Sequence, residues 1–274
     1  MEPGAVFSAH SKARRCRRRP GALALLLALS LPLAPTLFAA STALSLPTIR
    51  DPEGEGLELA TRLRNTPPAE SSEVRGVLEM MRGNGPLRSV PLTCTITLAS
   101  NRWQVVYCAR DTNAAGGGPV ETLTISHSPD QPGVYQWIQS TNQKERATSP
   151  VSLTQPFAGS DFWIQDLGLE FLHWPNQRIL RAEMRRNRSC RVLQSTLPHP
   201  PPNGYARVLS WVDLETGGII QAEAYDAQGK LFKKFALGSF EKVEGRWQLR
   251  NMKIRNARTG SQTDLKFELN KPGA

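Results

Sequence analysis

The feature that most constrains this chain is a period of two, repeated and punctuated by glycine. In "TDLKFEL", residues 263–269, Thr263, Leu265, Phe267 and Leu269 fall on one side of an extended backbone and Asp264, Lys266 and Glu268 on the other, the signature of a strand with one buried face. Five such runs follow one another, 205–213, 219–226, 230–240, 246–257 and 262–270, separated by "LETGG", "AQG", "EKVEG" and "RTGS". Each separator contains glycine, as tight hairpin loops often do. In the third run Leu231, Phe235 and Leu237 share one side and Lys234 takes the other, while Phe232 and Lys233 break the rule. Upstream, 74–82, 87–99, 103–110, 120–128 and 134–139 read as a meander of the same kind. Strands this long exceed the usual five or six residues.

A twisted antiparallel sheet with one apolar face must cover it with a second layer, close on itself, or wrap a ligand. Helical material for that layer is scarce. Leu57, Ala60 and Leu63 share a face of a short amphipathic helix within 53–64, and Phe162, Trp163, Asp166, Leu167 and Leu169 take helical spacing after an N-cap at Ser160 or Asp161. Two short helices do not cover about ten strands. The surplus apolar surface is core packing or the lining of a cavity, and pattern alone leaves both open. The proline-rich "LPHPPPN", 197–203, reads as a stiff crossover between two parts of one sheet, and the basic run 178–191 as a solvated strand or loop surface.

The N-terminus carries a different message. Lys12 and Arg14, Arg15, Arg17, Arg18 and Arg19 precede the apolar run 22–31, then Pro32, Pro35 and small residues to Ala43. This order of basic, apolar and small-residue regions is that of a secretory signal peptide. The organisation expected is a signal peptide at 1–43, a helix and linker at 44–73, and one β domain at 74–274, with the product exported; an uncleaved membrane anchor is the alternative if the apolar run continues through the two prolines. Removing 1–43 takes away six of 34 basic and one of 24 acidic residues, so the balance falls from +10 to 28 − 23 = +5. A residual charge this small argues against a nucleic-acid partner.

Cys94, Cys108 and Cys190 remain after processing. If the hairpin between 92 and 108 folds about Asn101, Cys94 lies opposite Cys108 at bridging distance; a slip of one residue puts them on opposite faces and leaves two free thiols. The bridge is the expectation, with Cys190 free. For catalysis the raw material is thin. His127, His173 and His199 have no second histidine or cysteine at metal-ligand spacing. Ser160, Asp161, Asp166 and His173 lie close in sequence but without a Gly-x-Ser-x-Gly elbow. Neither an enzyme, nor a bound metal, nor a cofactor is expected.

"GSDFWIQDL" at 159–167, "SCRVLQS" at 189–195, "VLSWVDLETGGIIQAEAYDAQGKLFKKF" at 208–235, "VEGRWQLRNMKIRN" at 243–256 and "TDLKF" at 263–267 together resemble the outer-membrane lipoprotein-sorting (LolA-like) family. The resemblance spans residues 74–270. It implies a mainly β fold, an unclosed antiparallel β-barrel of about ten or eleven strands, with short helices as a lid over an apolar cavity. It further implies a monomeric carrier of lipoprotein acyl chains or another lipid, loaded by an inner-membrane donor and unloaded at an outer-membrane acceptor. The alternative on the same fold is an envelope lipid sensor that transports nothing. Candidates for the cavity lining are Leu57, Leu63, Phe162, Trp163, Trp211, Phe235, Leu237, Trp247, Leu265 and Phe267.

Overall fold

The computed structural model describes residues 47–112, 118–141, 144–243 and 246–268. The basic and apolar segment 1–43 and the loop "NAAGG" at 113–117 lie outside the described residues. Residues 44–274 form one compact unit.

The chain opens with α1 (Pro52–Asn65) and then runs through β1 (Ser72–Met81), β2 (Arg88–Ala99), β3 (Arg102–Arg110), β4 (Val120–His127), β5 (Val134–Thr141) and β6 (Lys144–Thr148). A connection at 149–175 holds 3-10 turns at Phe157–Gly159 and Glu170–His173 around α2 (Ile164–Leu167). Then follow β7 (Asn176–Arg185), β8 (Arg188–Thr196), β9 (Arg207–Asp213), β10 (Ile219–Tyr225), β11 (Leu231–Leu237), β12 (Phe240–Val243), β13 (Arg246–Leu249), β14 (Asn251–Asn256) and β15 (Gln262–Glu268). Among the described residues thirteen strands pair into one antiparallel sheet, ordered β6-β5-β4-β3-β2-β1-β15-β14-β11-β10-β9-β8-β7. The sheet is unclosed, with β6 and β7 at its edges, and β12 and β13 form a separate hairpin.

That order locates the crossover. The chain starts at the centre with β1, meanders to the β6 edge, crosses at 149–175 to the β7 edge, and meanders back until β15 pairs with β1, Leu78 facing Leu265. The proline-rich 197–203 is not the crossover. It joins β8 to β9, which are antiparallel neighbours with Cys190 facing Asp213, so it is a long hairpin loop.

The crossover and α1 form the lid. Phe157, Ala158, Phe162 and Ile164 of the crossover pack with Leu78, Val90, Leu92, Leu123, Ile125, Ile254 and Leu265 of the sheet. Over the other half, Leu59 and Ala60 of α1 and Phe171, Leu172 and Trp174 of the crossover pack with Ile179, Leu193, Val208, Val212, Ala222 and Ala224. The first turn of α1 is set by Asp51, whose carboxylate accepts from Gly54 N at 3.0 Å. Glu53 and Glu55 in the first turn and Arg62 and Arg64 in the last suit the helix dipole. Gly56 lets α1 lie directly on β7: a Cβ there would come within 2.4 Å of Arg178 Cα. The inward stripe is therefore Gly56, Leu59, Ala60 and Leu63, and Leu57, expected on that stripe, is 52% exposed.

The β2–β3 hairpin corrects the disulfide. Ala99 faces Arg102, so the turn is the pair Ser100–Asn101, with Ser100 at φ 51°. Cys94 then faces Tyr107, and Cys108 faces Thr93. The two thiols lie on opposite faces, and all three described cysteines are free. Cys94 is buried on the lid side, where desolvation pushes its thiol up to about 11.

Candidate functional site

The two halves of the core part beneath the lid, and the gap is a cavity of about 560 Å³. Its lining comes from both halves: Tyr107, Leu167 and Met252 belong to one, Leu63, Leu172 and Ile219 to the other, and Phe235 packs against both. Leu237 completes the sheet wall, and the rim includes Arg62 of α1, its C-cap Thr66, and the β9–β10 turn at Thr216–Gly218. Leu169 also lines it, 38% exposed and in the left-handed region at φ 50°, a conformation unusual for a bulky side chain. The surface is mostly hydrocarbon, as ligand pockets are.

At the inner end a chamber of about 30 Å³ shares Asp166, Leu169, Ile219 and Phe235 with the cavity and reaches Tyr205 and Lys233. Here the crossover is fastened to the sheet. The Lys233 side chain is 2% exposed. Its Nζ donates to the Asp161 carbonyl at 2.7 Å and to Asp166 Oδ2 at 3.2 Å, and sits 3.7 Å from the centre of the Trp163 ring. Asp166 also accepts from Trp163 N at 2.8 Å and from the Tyr205 hydroxyl at 3.0 Å. The Asp161 carboxylate accepts from Ser261 Oγ at 2.6 Å and Thr263 Oγ1 at 2.9 Å. Burial pushes the Lys233 ammonium below the usual lysine range, and the Asp166 carboxylate opposes that shift. Burial, reinforced by Asp166, holds the Tyr205 hydroxyl well above its usual value. Trp163 stacks on Tyr205 at 4.8 Å and meets Phe232 edge-on at 5.1 Å.

The break in alternation at Phe232–Lys233 is what places this cluster. Between β10 and β11 the register shifts, Tyr225 facing Leu231 but Ala224 facing Lys233, so Phe232 is the extra residue of a bulge. Phe232 and Lys233 both reach the lid side, one against Trp163 and the other over it.

The expected lining residues fare differently. Leu63, Phe162, Phe235 and Leu237 line the cavity. Trp163 is at the anchor instead, beside a polar pocket shared with Lys233 and Ser261. Leu265 is wholly buried in the solid core under Phe157 and Phe162, and Phe267 packs against the same cluster. Leu57 lies outside, next to Arg178 on another surface depression. Trp211 points to the opposite face of the sheet: Val208, Ser210 and Val212 of β9 take the lid side, so Trp211 packs with Cys190 and Val192 and donates to Glu183 Oε1 at 2.5 Å. Trp247 lies in β13, and its side chain is outside the described set. Met252 was open to either role from sequence and lines the cavity; Arg62 was not singled out, and "LETGG" was read only as a hairpin loop.

The imagined hydrolase group is dispersed into structural roles. Ser160 Oγ accepts from Phe162 N at 3.1 Å, and Asp161 and Asp166 are occupied as described. His173 ends the second 3-10 turn, near the positive charge of Arg64. Among the described residues no cluster of three metal-ligating side chains occurs. No helix among them is long and apolar enough to cross a membrane.

Comparison with known proteins agrees with this architecture. A DUF1329 family protein from Desulfovibrio piger superposes with a TM-score of 0.65 at 21% identity, over 82% of this chain and 95% of that one. A putative outer membrane lipoprotein-sorting protein domain from Vibrio parahaemolyticus gives 0.62 at 19% identity, covering 79% and 91%. A LolA superfamily protein from Nitrosomonas europaea gives 0.55 at 17%, covering 80% and 93%. No protein of curated function matches the sequence. At these identities the likeness is one of fold. A family model described as "uncharacterized protein" matches residues 115–272, more than half of the chain, and the chain thus belongs to that family, built on the unclosed β-sheet fold of the LolA-like lipoprotein-sorting proteins.

Proposed function

We propose that this protein is exported, loses residues 1–43, and carries the acyl chains of a lipoprotein or other lipid through the periplasm in the cavity beneath its lid. The observation that carries this reading is the cavity itself: about 560 Å³ of mostly apolar space, lined by Leu63, Leu167, Leu172, Phe235, Leu237 and Met252, between a sheet and a lid. Burying acyl carbon there is favoured by about 0.8 kcal/mol for each CH₂, and this requires no catalytic group. The side chains that might have served catalysis are spent on holding the crossover in place. The names of two fold neighbours, a lipoprotein-sorting domain and a LolA superfamily protein, support the same reading. A carrier must also exchange its cargo, so donor and acceptor partners at the two membranes follow from it.

Organic extraction of protein purified from the periplasm, followed by mass spectrometry, tests the proposal. Co-purifying acyl lipid or acylated peptide is expected. Protein that comes out free of lipid and binds no fluorescent acyl probe refutes it. A sensor on the same fold would bind the probe but not release it to acceptor vesicles in a transfer assay.

A further inference from the structure

The cavity's volume and its one open charge narrow the ligand. An apolar cavity of about 150 Å³ takes up benzene, or roughly 25 Å³ for each carbon. At that density the cavity of about 560 Å³ holds about 22 carbons, and the inner chamber of about 30 Å³ adds about one more. One acyl chain of about 16 carbons fits with room left over, while two such chains need about 800 Å³.

The polar groups at the two ends differ. At the inner end Asp166, Tyr205 and Lys233 satisfy one another, Lys233 being directed at the Asp161 carbonyl, Asp166 and the face of Trp163. That end offers an anionic head group no free cation, and the Asp166 carboxylate, which lines the main cavity, repels it. At the rim the reverse holds. Arg62 lies exposed on the last turn of α1, lines the cavity, and makes no side-chain hydrogen bond or ion pair among the described residues. Its neighbour Arg64 is engaged with the Leu172 carbonyl at 3.2 Å. The other rim residues, Thr66, Thr216, Gly217 and Gly218, carry no charge. A chain seated with its methyl end inward leaves its head at the only charged side chain of the rim described.

Resting on the acyl-binding reading above, we infer that the ligand is a single-chain anionic amphiphile, its chain in the cavity and its carboxylate or phosphate head paired with Arg62. A free fatty acid and a lysophospholipid share this chemistry. A diacylated or triacylated lipoprotein does not.

The test is displacement of a fluorescent acyl probe from the delipidated mature protein at low salt, with native mass spectrometry for stoichiometry. Palmitate and lysophosphatidylglycerol represent the two sources of a single-chain anion. Lysophosphatidylcholine controls for head-group charge, and dipalmitoyl phosphatidylglycerol and a diacylglyceryl peptide control for chain number. Expected is one bound molecule, with the single-chain anions displacing the probe about twofold to fivefold better than lysophosphatidylcholine, the range of an exposed ion pair. That preference should vanish in Arg62→Glu, whose fold is checked by circular dichroism, and shrink as salt rises. Two-chain ligands displacing as well as single-chain ones, or a preference that survives Arg62→Glu, overturns the inference while leaving acyl binding intact. If the probe itself does not bind, the acyl-binding reading fails first.

Discussion

Replacing Lys233 by Met keeps most of the side chain's hydrocarbon and removes only its charge, which isolates the anchor of the lid. The ammonium is nearly inaccessible to water; both of its hydrogen bonds and its closer ring contact, with Trp163, go to the crossover, and a second, longer ring contact goes to Tyr205. Removing one partner of a buried pair typically costs 3–5 kcal/mol, because the other charge is left uncompensated. Asp166 keeps its bonds from Tyr205 and Trp163 N, and its side chain is 13% exposed, so the lower part of that range, about 3 kcal/mol, is expected. For a domain of this size about 3 kcal/mol lowers Tm by roughly 6–12 °C. Urea titration reads the loss directly as a lower midpoint at unchanged slope. Adding Asp166→Asn removes the stranded charge, so the double variant should lose less than the sum of the two single losses. A Lys233→Met protein within about 0.5 kcal/mol of wild type, the scatter of ordinary surface changes, would show that the cluster does not hold the lid.

Other expectations follow from the same geometry. Leu265→Glu buries a carboxylate in solid core, should cost several kcal/mol and should leave little folded protein, whereas Leu237→Glu on the cavity wall should stay folded by circular dichroism and weaken acyl-probe binding; the opposite result would move the cavity. Alkylation without reductant should label all three described cysteines in urea but spare the buried Cys94 and Cys190 in the native protein; two cysteines that stay unlabelled in urea, with a mass two hydrogens short, would restore the bridge. His127 and His173 are both held below the usual histidine value of 6.5, chiefly by desolvation. The unfolded chain therefore takes up protons first, and their contribution to stability is lost as pH falls through 6.5 towards the folded values. Thermal melts should show Tm dropping over that window, less steeply in a His127→Gln/His173→Gln variant; equal slopes would refute the assignment.

Much of the sheet was legible because alternation survives wherever one face is buried and the other wet. β15 reads directly from Leu265 and Phe267 against Lys266, and the meander β1–β5 falls within a few residues of its expected bounds. β7 and β8 were read only as a solvated strand or loop surface because arginines fill them; those arginines are ion-paired, Arg181 with Glu183 within β7 and Arg188 of β8 with Asp213 of β9. The run 230–257 was read as two strands, but it breaks after Leu237, where Asn251 Oδ1 accepts from Ser239 N at 2.8 Å and the β12–β13 hairpin leaves the sheet. Pairing over distance was beyond local pattern. Nothing in "SPVSLTQPFAGS" says that it joins opposite edges of a sheet, and a turn of two residues rather than three decided the fate of a disulfide. Core and cavity were not distinguishable in the pattern, because a half-apolar strand looks the same whether it faces a neighbour or a void.

The break in alternation at Phe232–Lys233 and the position of the cavity together set how firmly each part of the cover is held. The middle of the crossover is tied to the sheet by Lys233, Asp161, Asp166, Tyr205, Ser261 and Thr263, and parting it means exposing or stranding a buried charge at a cost of about 3–5 kcal/mol. The C-terminal end of α1 is tied by lighter means. Asn65 and the β4–β5 turn exchange two exposed hydrogen bonds through Asp130, at 2.8 and 3.2 Å, and Arg64 caps the Leu172 carbonyl. Bonds of that kind contribute about 1 kcal/mol each. By this comparison the C-terminal end of α1, where Arg62, Leu63 and Thr66 border the cavity, is tied to its neighbours by weaker polar contacts than the crossover is. A sheet that broke its own alternation to bury a lysine has thereby fastened the crossover more firmly than the end of α1.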